Sequence, residues 1–139
     1  MRRLLATSLG VIVAATTVAG HAHHSFAIFD HANSYRLEGR VESFQWTNPH
    51  GYIDLEVRNV VVGPAGVSRF TLELTSINML RRNGWKSSDV KAGDEVSVVV
   101  APLVDGKPAG LLLEINLPDG RTLYPPVPQI DTYNRNPQP

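Results

Sequence analysis

From Tyr35 to Val41, apolar or small residues occupy every second position (Tyr35, Leu37, Gly39, Val41), and Arg36, Glu38, Arg40 and Glu42 take the others. A period of two predicts a strand with one buried face. The large apolar groups then change parity to Phe44 and Trp46, so one extra residue near Ser43 predicts a β-bulge in a long, bent first strand. Thr47-Asn48-Pro49-His50-Gly51 has turn composition. Behind it Ile53, Leu55 and Val57 alternate with Asp54, Glu56 and Arg58, which predicts the second strand. After the break at Gly63-Pro64-Ala65-Gly66, Phe70, Leu72 and Leu74 alternate with Arg69, Thr71 and Glu73 as the third.

The period then changes. Ser76 suits a helix N-cap, Ile77 and Leu80 fall at helical spacing, and Asn83-Gly84 offers a left-handed stop. One short helix is predicted over 77–82, with Trp85 folding back onto the core. Lys91-Ala92-Gly93-Asp94 turns the chain into a fourth strand carrying Val96, Val98 and Val100 and reaching about Leu103. Asp105-Gly106 is a hairpin signal. Beyond it Leu111, Leu113, Ile115 and Leu117 alternate with Leu112, Glu114 and Asn116 as the fifth strand.

Five strands with one helix between the third and fourth is the element order of an OB-like Greek-key barrel, a mainly β fold. The bent first strand agrees, because closing a small barrel needs a bulge or a glycine kink. A plain β-sandwich is the alternative, since strand count alone does not separate the two. In OB barrels the loop between strands one and two helps form the binding face. Here that loop carries Asn48-Pro49-His50-Gly51.

The amino terminus has another character. Arg2 and Arg3 precede an uncharged run from Leu4 to Ala19, which ends in Gly20-His21-Ala22. That is the layout of a secretory signal, with cleavage after Ala22 or, as the runner-up, after Gly20. The run is shorter and more polar than the roughly 20 apolar residues of a spanning helix. The expected organisation is a signal peptide over 1–22, a histidine-containing segment over 23–34, the barrel over 35–124 and a proline-rich tail over 125–139, which leaves the core. The expected location is periplasmic or secreted, with no membrane span after cleavage.

Losing Arg2 and Arg3 reduces the 13 Lys and Arg to 11, against 13 acidic side chains, a formal charge of −2. Without a basic excess, nucleic acid is not an expected partner. A periplasmic protein or a small molecule is. There are no cysteines, so disulfides, thiol chemistry, Cys-ligated zinc and C-x-x-C-H haem attachment are excluded.

His23-His24-Ser25-Phe26-Ala27, Phe29-Asp30, Gln45-Trp46-Thr47-Asn48-Pro49-His50, Gly84-Trp85 and Gly93-Asp94 resemble the secreted bacterial family named domain of unknown function 6152. The resemblance runs through nearly the whole mature chain to about Leu117, and its most specific parts are the His-His-Ser-Phe start and the Trp-Thr-Asn-Pro-His stretch. It implies export and a small β domain, and no established activity.

Two kinds of chemistry suit the residues. Cleavage after Ala22 puts a free α-amine and the His23 imidazole on one residue, a chelate that His24 and the remote His50 could complete. Cleavage after Gly20 places His23 third from a free amine, an arrangement that suits square-planar copper or nickel. Copper is the metal such nitrogen donors favour, and an α-amine, which ordinarily titrates at about 7.7–8.0, is partly neutral at neutral pH. Asp30 and His31 are lesser ligand candidates. Against this stands the ordinary reading: His23-His24 are polar residues behind a cleavage site, His50 bonds within its turn, and Asp30 caps a local turn.

The second chemistry is a ligand groove formed by Trp46, Asn48 and Tyr52 near His50, with Phe44 and Trp85 completing the aromatic set. The same aromatics could instead be core. No G-x-S-x-G, H-E-x-x-H or glycine-rich phosphate loop is present, so an enzyme is not expected and no catalytic residue is assigned. Glu38, Glu42, Asp54 and Glu56 are expected as surface charges paired with Arg36, Arg40 or Arg58 across strands.

Overall fold

The computed structural model describes residues 26–63 and 65–127. Its strands are β1 (Tyr35–Gln45), β2 (Tyr52–Val62), β3 (Arg69–Glu73), β4 (Glu95–Pro102), β5 (Ala109–Asn116) and β6 (Thr122–Leu123). Helix α1 (Ile77–Arg82) lies between β3 and β4, and a single 3-10 turn, Phe26–Ile28, precedes β1. Neighbouring strands run in the order β3-β2-β1-β4-β5-β6, and β3 also pairs in parallel with β5. That pairing closes β1 to β5 into a barrel, which decides against the sandwich. The expected OB-like order is present, with the two-residue β6 added.

Inside the barrel lie Leu37 and Val41 from β1, Ile53 and Leu55 from β2, Leu72 from β3, Val98 and Val100 from β4, and Leu112 and Ile115 from β5, all essentially inaccessible. Full burial of each such side chain is worth about 1.5–3 kcal/mol. The parity change in β1 is a bulge: Val41 faces Leu55 and Ser43 faces Asp54, so Glu42 is the extra residue. It turns Phe44 and Trp46 toward the core and leaves Ser43 and Gln45 on the outer face.

Helix α1 follows its caps. The Ser76 hydroxyl accepts from the Met79 amide, and Ile77 and Leu80 are buried. At the other end the Trp85 amide donates to the Leu80 carbonyl and the Gly84 amide to that of Arg81, both at 3.1 Å. This Schellman pattern is made by the left-handed Gly84, φ +84°. It returns the buried Trp85 to the core, where its indole N–H donates to the Tyr124 carbonyl at 3.3 Å.

Two expectations need correction. β5 does not keep one alternation, because a register irregularity opposite Val99/Val100 sends Leu112 and Ile115 inward and Leu111 and Leu113 outward. The outer pair joins Phe29, Val99 and Ala101 in a second apolar cluster, against which Leu103 and Val127 pack. Nor does the chain leave the core at Pro125: Pro125 is buried and Val127 helps cover β4 and β5. Both sheet faces there are apolar, so the strands read as continuous runs rather than alternations.

Candidate functional site

Two hydrogen bonds hold the loop joining β1 and β2. The Thr47 hydroxyl donates to the His50 carbonyl at 3.3 Å. The Asn48–Pro49 peptide is cis. The Leu74 amide donates to the Gly51 carbonyl at 2.9 Å, and Gly51 is buried beneath the loop, where a Cβ would approach Ile77 Cδ1 at 3.5 Å. The loop therefore rests on the start of α1, and His50 is carried to the edge of β3.

There His50 Nδ1 is hydrogen-bonded to Glu73 Oε1, with both side chains half-buried. A carboxylate only accepts, so the proton sits on Nδ1 and, in the neutral ring, Nε2 is left as an acceptor. Tyr52 stands opposite Glu73 in the β2–β3 register. Burial first, and the Glu73 charge second, push the Tyr52 phenol above its ordinary range.

Next to this trio, Asp54 collects three donors from two neighbouring strands. Ser43 Oγ (2.7 Å) and Gln45 Nε2 (3.3 Å) of β1 bond to its Oδ2, and Thr71 Oγ1 (3.0 Å) of β3 bonds to its Oδ1. Asp54 is half-buried and thus departs from the expected surface charge paired with arginine. Its role is to tie β1, β2 and β3 together on the outer face. The ion pairs Arg69–Glu42 (3.0 Å) and Arg58–Glu56 (3.6 Å) border that face. Glu38 also departs from the expected pairing, since it accepts from Asn59 at 3.0 Å. Arg36 meets the buried Glu114 at 3.6 Å.

The structure divides the expected groove. Tyr52 is on the outer face and Asn48 is exposed in the loop, but Trp46 follows Phe44 toward the core. Its ring meets Phe44 edge-on at 5.5 Å and has the Arg81 guanidinium over it at 6.0 Å. Trp85 is buried. The pattern of aromatics pointed to Tyr52, while Asp54, Thr71 and Glu73 were hidden by reading each strand separately. Their signal is the shared outward parity of β2 and β3, once the two strands are paired.

His23 and His24 lie outside the described residues. His50 lies where β1 ends. The described amino-terminal segment docks where β1 begins, through a bridge between Phe29 and Leu103 and a bond from the Val104 amide to the Ile28 carbonyl at 2.9 Å. Asp30 takes the turn-capping role, accepting from the Ala32 and Asn33 amides and from Asn33 Nδ2. The Asn33 side chain is the largest cause holding its carboxyl below the ordinary range. The His31 ring packs edge-on to Phe29 at 6.4 Å. Among the described residues no three His, Asp or Glu side chains gather as metal ligands, and no helix is long and apolar enough to cross a membrane.

No curated protein and no solved structure matches the chain. The profile of a family of unknown function, DUF6152, matches residues 11–114, a span that holds the histidine-rich start, the Trp46–His50 stretch, α1 and most of the barrel. The chain belongs to that family.

Proposed function

We propose that this chain is an exported, non-enzymatic binding module whose recognition face is the outer surface of β1, β2 and β3 around His50. The observation that carries the reading is the His50–Glu73 pair beside Tyr52, on the strand face and next to the loop through which OB barrels bind ligands. Export rests on the charge and composition of residues 1–22.

The chemistry of the face selects the ligand. Glu73 is an acceptor, and the border holds as many carboxylates as arginines, so the balance with Asp54 and Glu73 is acidic. Such a surface favours a ligand that brings donors, hydroxyl and ammonium groups above all, and the Tyr52 ring offers it an apolar face. Amino-sugar oligomers combine these features. Asp54, already engaged by Ser43, Gln45 and Thr71, acts as the support of the face.

Calorimetric titration with glucosamine tetramer, its N-acetylated counterpart and an oligogalacturonate of equal length tests the reading. The cationic oligomer is expected to bind most tightly, and Glu73→Gln to weaken it about tenfold, the loss of one charge-assisted hydrogen bond. Equal binding of all three, or indifference to Glu73→Gln, would contradict it.

A copper chelate at His23 and His24 is the second reading. What favours it is the sequence itself: cleavage after Ala22 puts a free α-amine and the His23 imidazole on one residue with His24 beside it, a nitrogen donor set suited to copper that does not call on His50. Mass spectrometry of the exported protein, followed by copper titration with and without one added amino-terminal residue, tests it. One-to-one binding abolished by the extension supports the chelate; binding indifferent to the extension refutes it.

A further inference from the structure

We propose a second and independent ligand site, a cleft at the barrel end where β1 begins, that takes a small apolar molecule bearing a carboxylate. The two barrel ends differ. One is plugged by α1, whose Ile77 and Leu80 are part of the main core. At the other, the β2–β3 loop and the β4–β5 hairpin stand apart around a cleft of about 390 Å³, within the size range of small-molecule sites. Mouths of β-barrels are a common place for such sites.

The walls and rim define the ligand. Tyr35, Val67, Phe70, Pro102 and Pro108 supply apolar surface, with Phe70 buried and Tyr35 and Val67 packed against the core. Among the described residues, the charged side chains lining the cleft are Arg69 and Lys107, both cationic. Their present partners, Glu42 at 3.0 Å and Asp105 at 2.8 Å, are outside the lining. Arg69 and Lys107 side chains are 76% and 74% exposed, and ion pairs this exposed are weak and exchangeable. An incoming carboxylate can therefore recruit either cation, Arg69 through two parallel bonds. A cationic ligand would meet no carboxylate among these lining residues.

Gly66 and Gly106, one in each flanking loop, have φ of +83° and +76°, and a Cβ on either would meet nothing within 4 Å. The cleft is at the opposite end of β1 from His50 and shares with the border of the face described above only Arg69, so shifts at Val67, Ser68 and Lys107 report on this site and not on that face.

Nitrogen-15 correlation spectra of the full chain with 2-naphthoate, 2-naphthylmethanol and 2-naphthylmethylamine test the proposal, because the three share one apolar body. Naphthoate is expected to shift the amides of Val67, Ser68 and Lys107. The double variant Arg69→Gln/Lys107→Gln should weaken naphthoate at least fivefold and leave the alcohol unchanged. Ser68→Trp, which fills the cleft from an exposed position, should abolish binding with the rest of the spectrum preserved. The proposal is overturned if naphthoate does not bind or shifts amides elsewhere, if the amine binds as tightly, or if the double variant or Ser68→Trp has no effect.

Discussion

Gly39 sits in the middle of β1, inside the barrel, and the structure leaves no room for a side chain there. A Cβ built on it would lie 2.3 Å from the Glu56 carbonyl oxygen and 3.0 Å from Leu55 Cγ. Real Cβ contacts essentially never fall below 3.0 Å, so Gly39→Ala must push β2 back by about 0.7 Å, the difference between those distances. The obstacle is backbone, which cannot rotate away. Overpacking of this kind costs about 1–3 kcal/mol, and each ladder hydrogen bond stretched in the process adds about 1 kcal/mol. The lower entropy of the unfolded alanine chain returns about 0.4–1 kcal/mol. The expected net loss is about 2–4 kcal/mol, a large share of the roughly 5–15 kcal/mol that holds a domain together. Urea denaturation followed by Trp46 and Trp85 fluorescence reads it as a midpoint lowered by roughly 1–2 M, for a mid-range slope of about 2 kcal/mol/M. Gly120→Ala is the control, since φ is +86° there but nothing lies within 4 Å, leaving a strain of about 1–2 kcal/mol. If Gly39→Ala is the milder of the two, the close packing of β1 on β2 is refuted.

Other outcomes follow from single contacts. The Tyr52 phenol is expected to ionise above its ordinary range in an ultraviolet titration, and Glu73→Gln should remove only the smaller part of that elevation, because burial is the larger cause. A pKa raised by folding contributes stability that is full below the unfolded value of about 10 and is lost as pH rises through the folded one; Tyr52→Phe should remove that alkaline loss. Ser76→Ala deletes the side-chain acceptor of the Met79 amide and leaves its bond to the Ser76 carbonyl; it is expected to cost up to about 1 kcal/mol in the same urea assay, whereas an unchanged midpoint would mean the side-chain cap contributes nothing. His50→Ala is expected to leave the stoichiometry of amino-terminal copper binding unaltered, because the described amino-terminal segment docks at the other end of β1; loss of a bound copper in that variant would show His50 to be a ligand.

The barrel was legible where one sheet face is buried and the other wet. β1, β2 and β3 alternate for that reason, and the parity change between Val41 and Phe44 located a bulge that the register places at Glu42. Helix α1 was legible from its ends, Ser76 and Gly84, both of which act as caps. β5 was not, because Leu111, Leu112 and Leu113 are all buried, on two different clusters, and a two-sided strand has no alternation to read. The role of Val127 was hidden for a related reason: the apolar outer face of β4 and β5 that it covers exists only after the strands pair.

The site was legible in part. His50 and Tyr52 stood out because residues of these types flank a turn, yet the carboxylate that meets them, Glu73, lies 23 residues beyond His50. Only strand pairing brings such positions together. Trp46 looked like groove and is mostly wall, since the bulge reverses its facing relative to Tyr52.

The central claim is that the face around His50 is where this protein recognises its ligand, and mapping by nitrogen-15 correlation spectra during titration with glucosamine tetramer tests it most directly. Shifts are expected to concentrate at Gln45, His50, Tyr52 and Glu73, with affinity reduced about tenfold by Glu73→Gln. Shifts confined to the opposite end of the barrel, or none at millimolar oligomer, would contradict it.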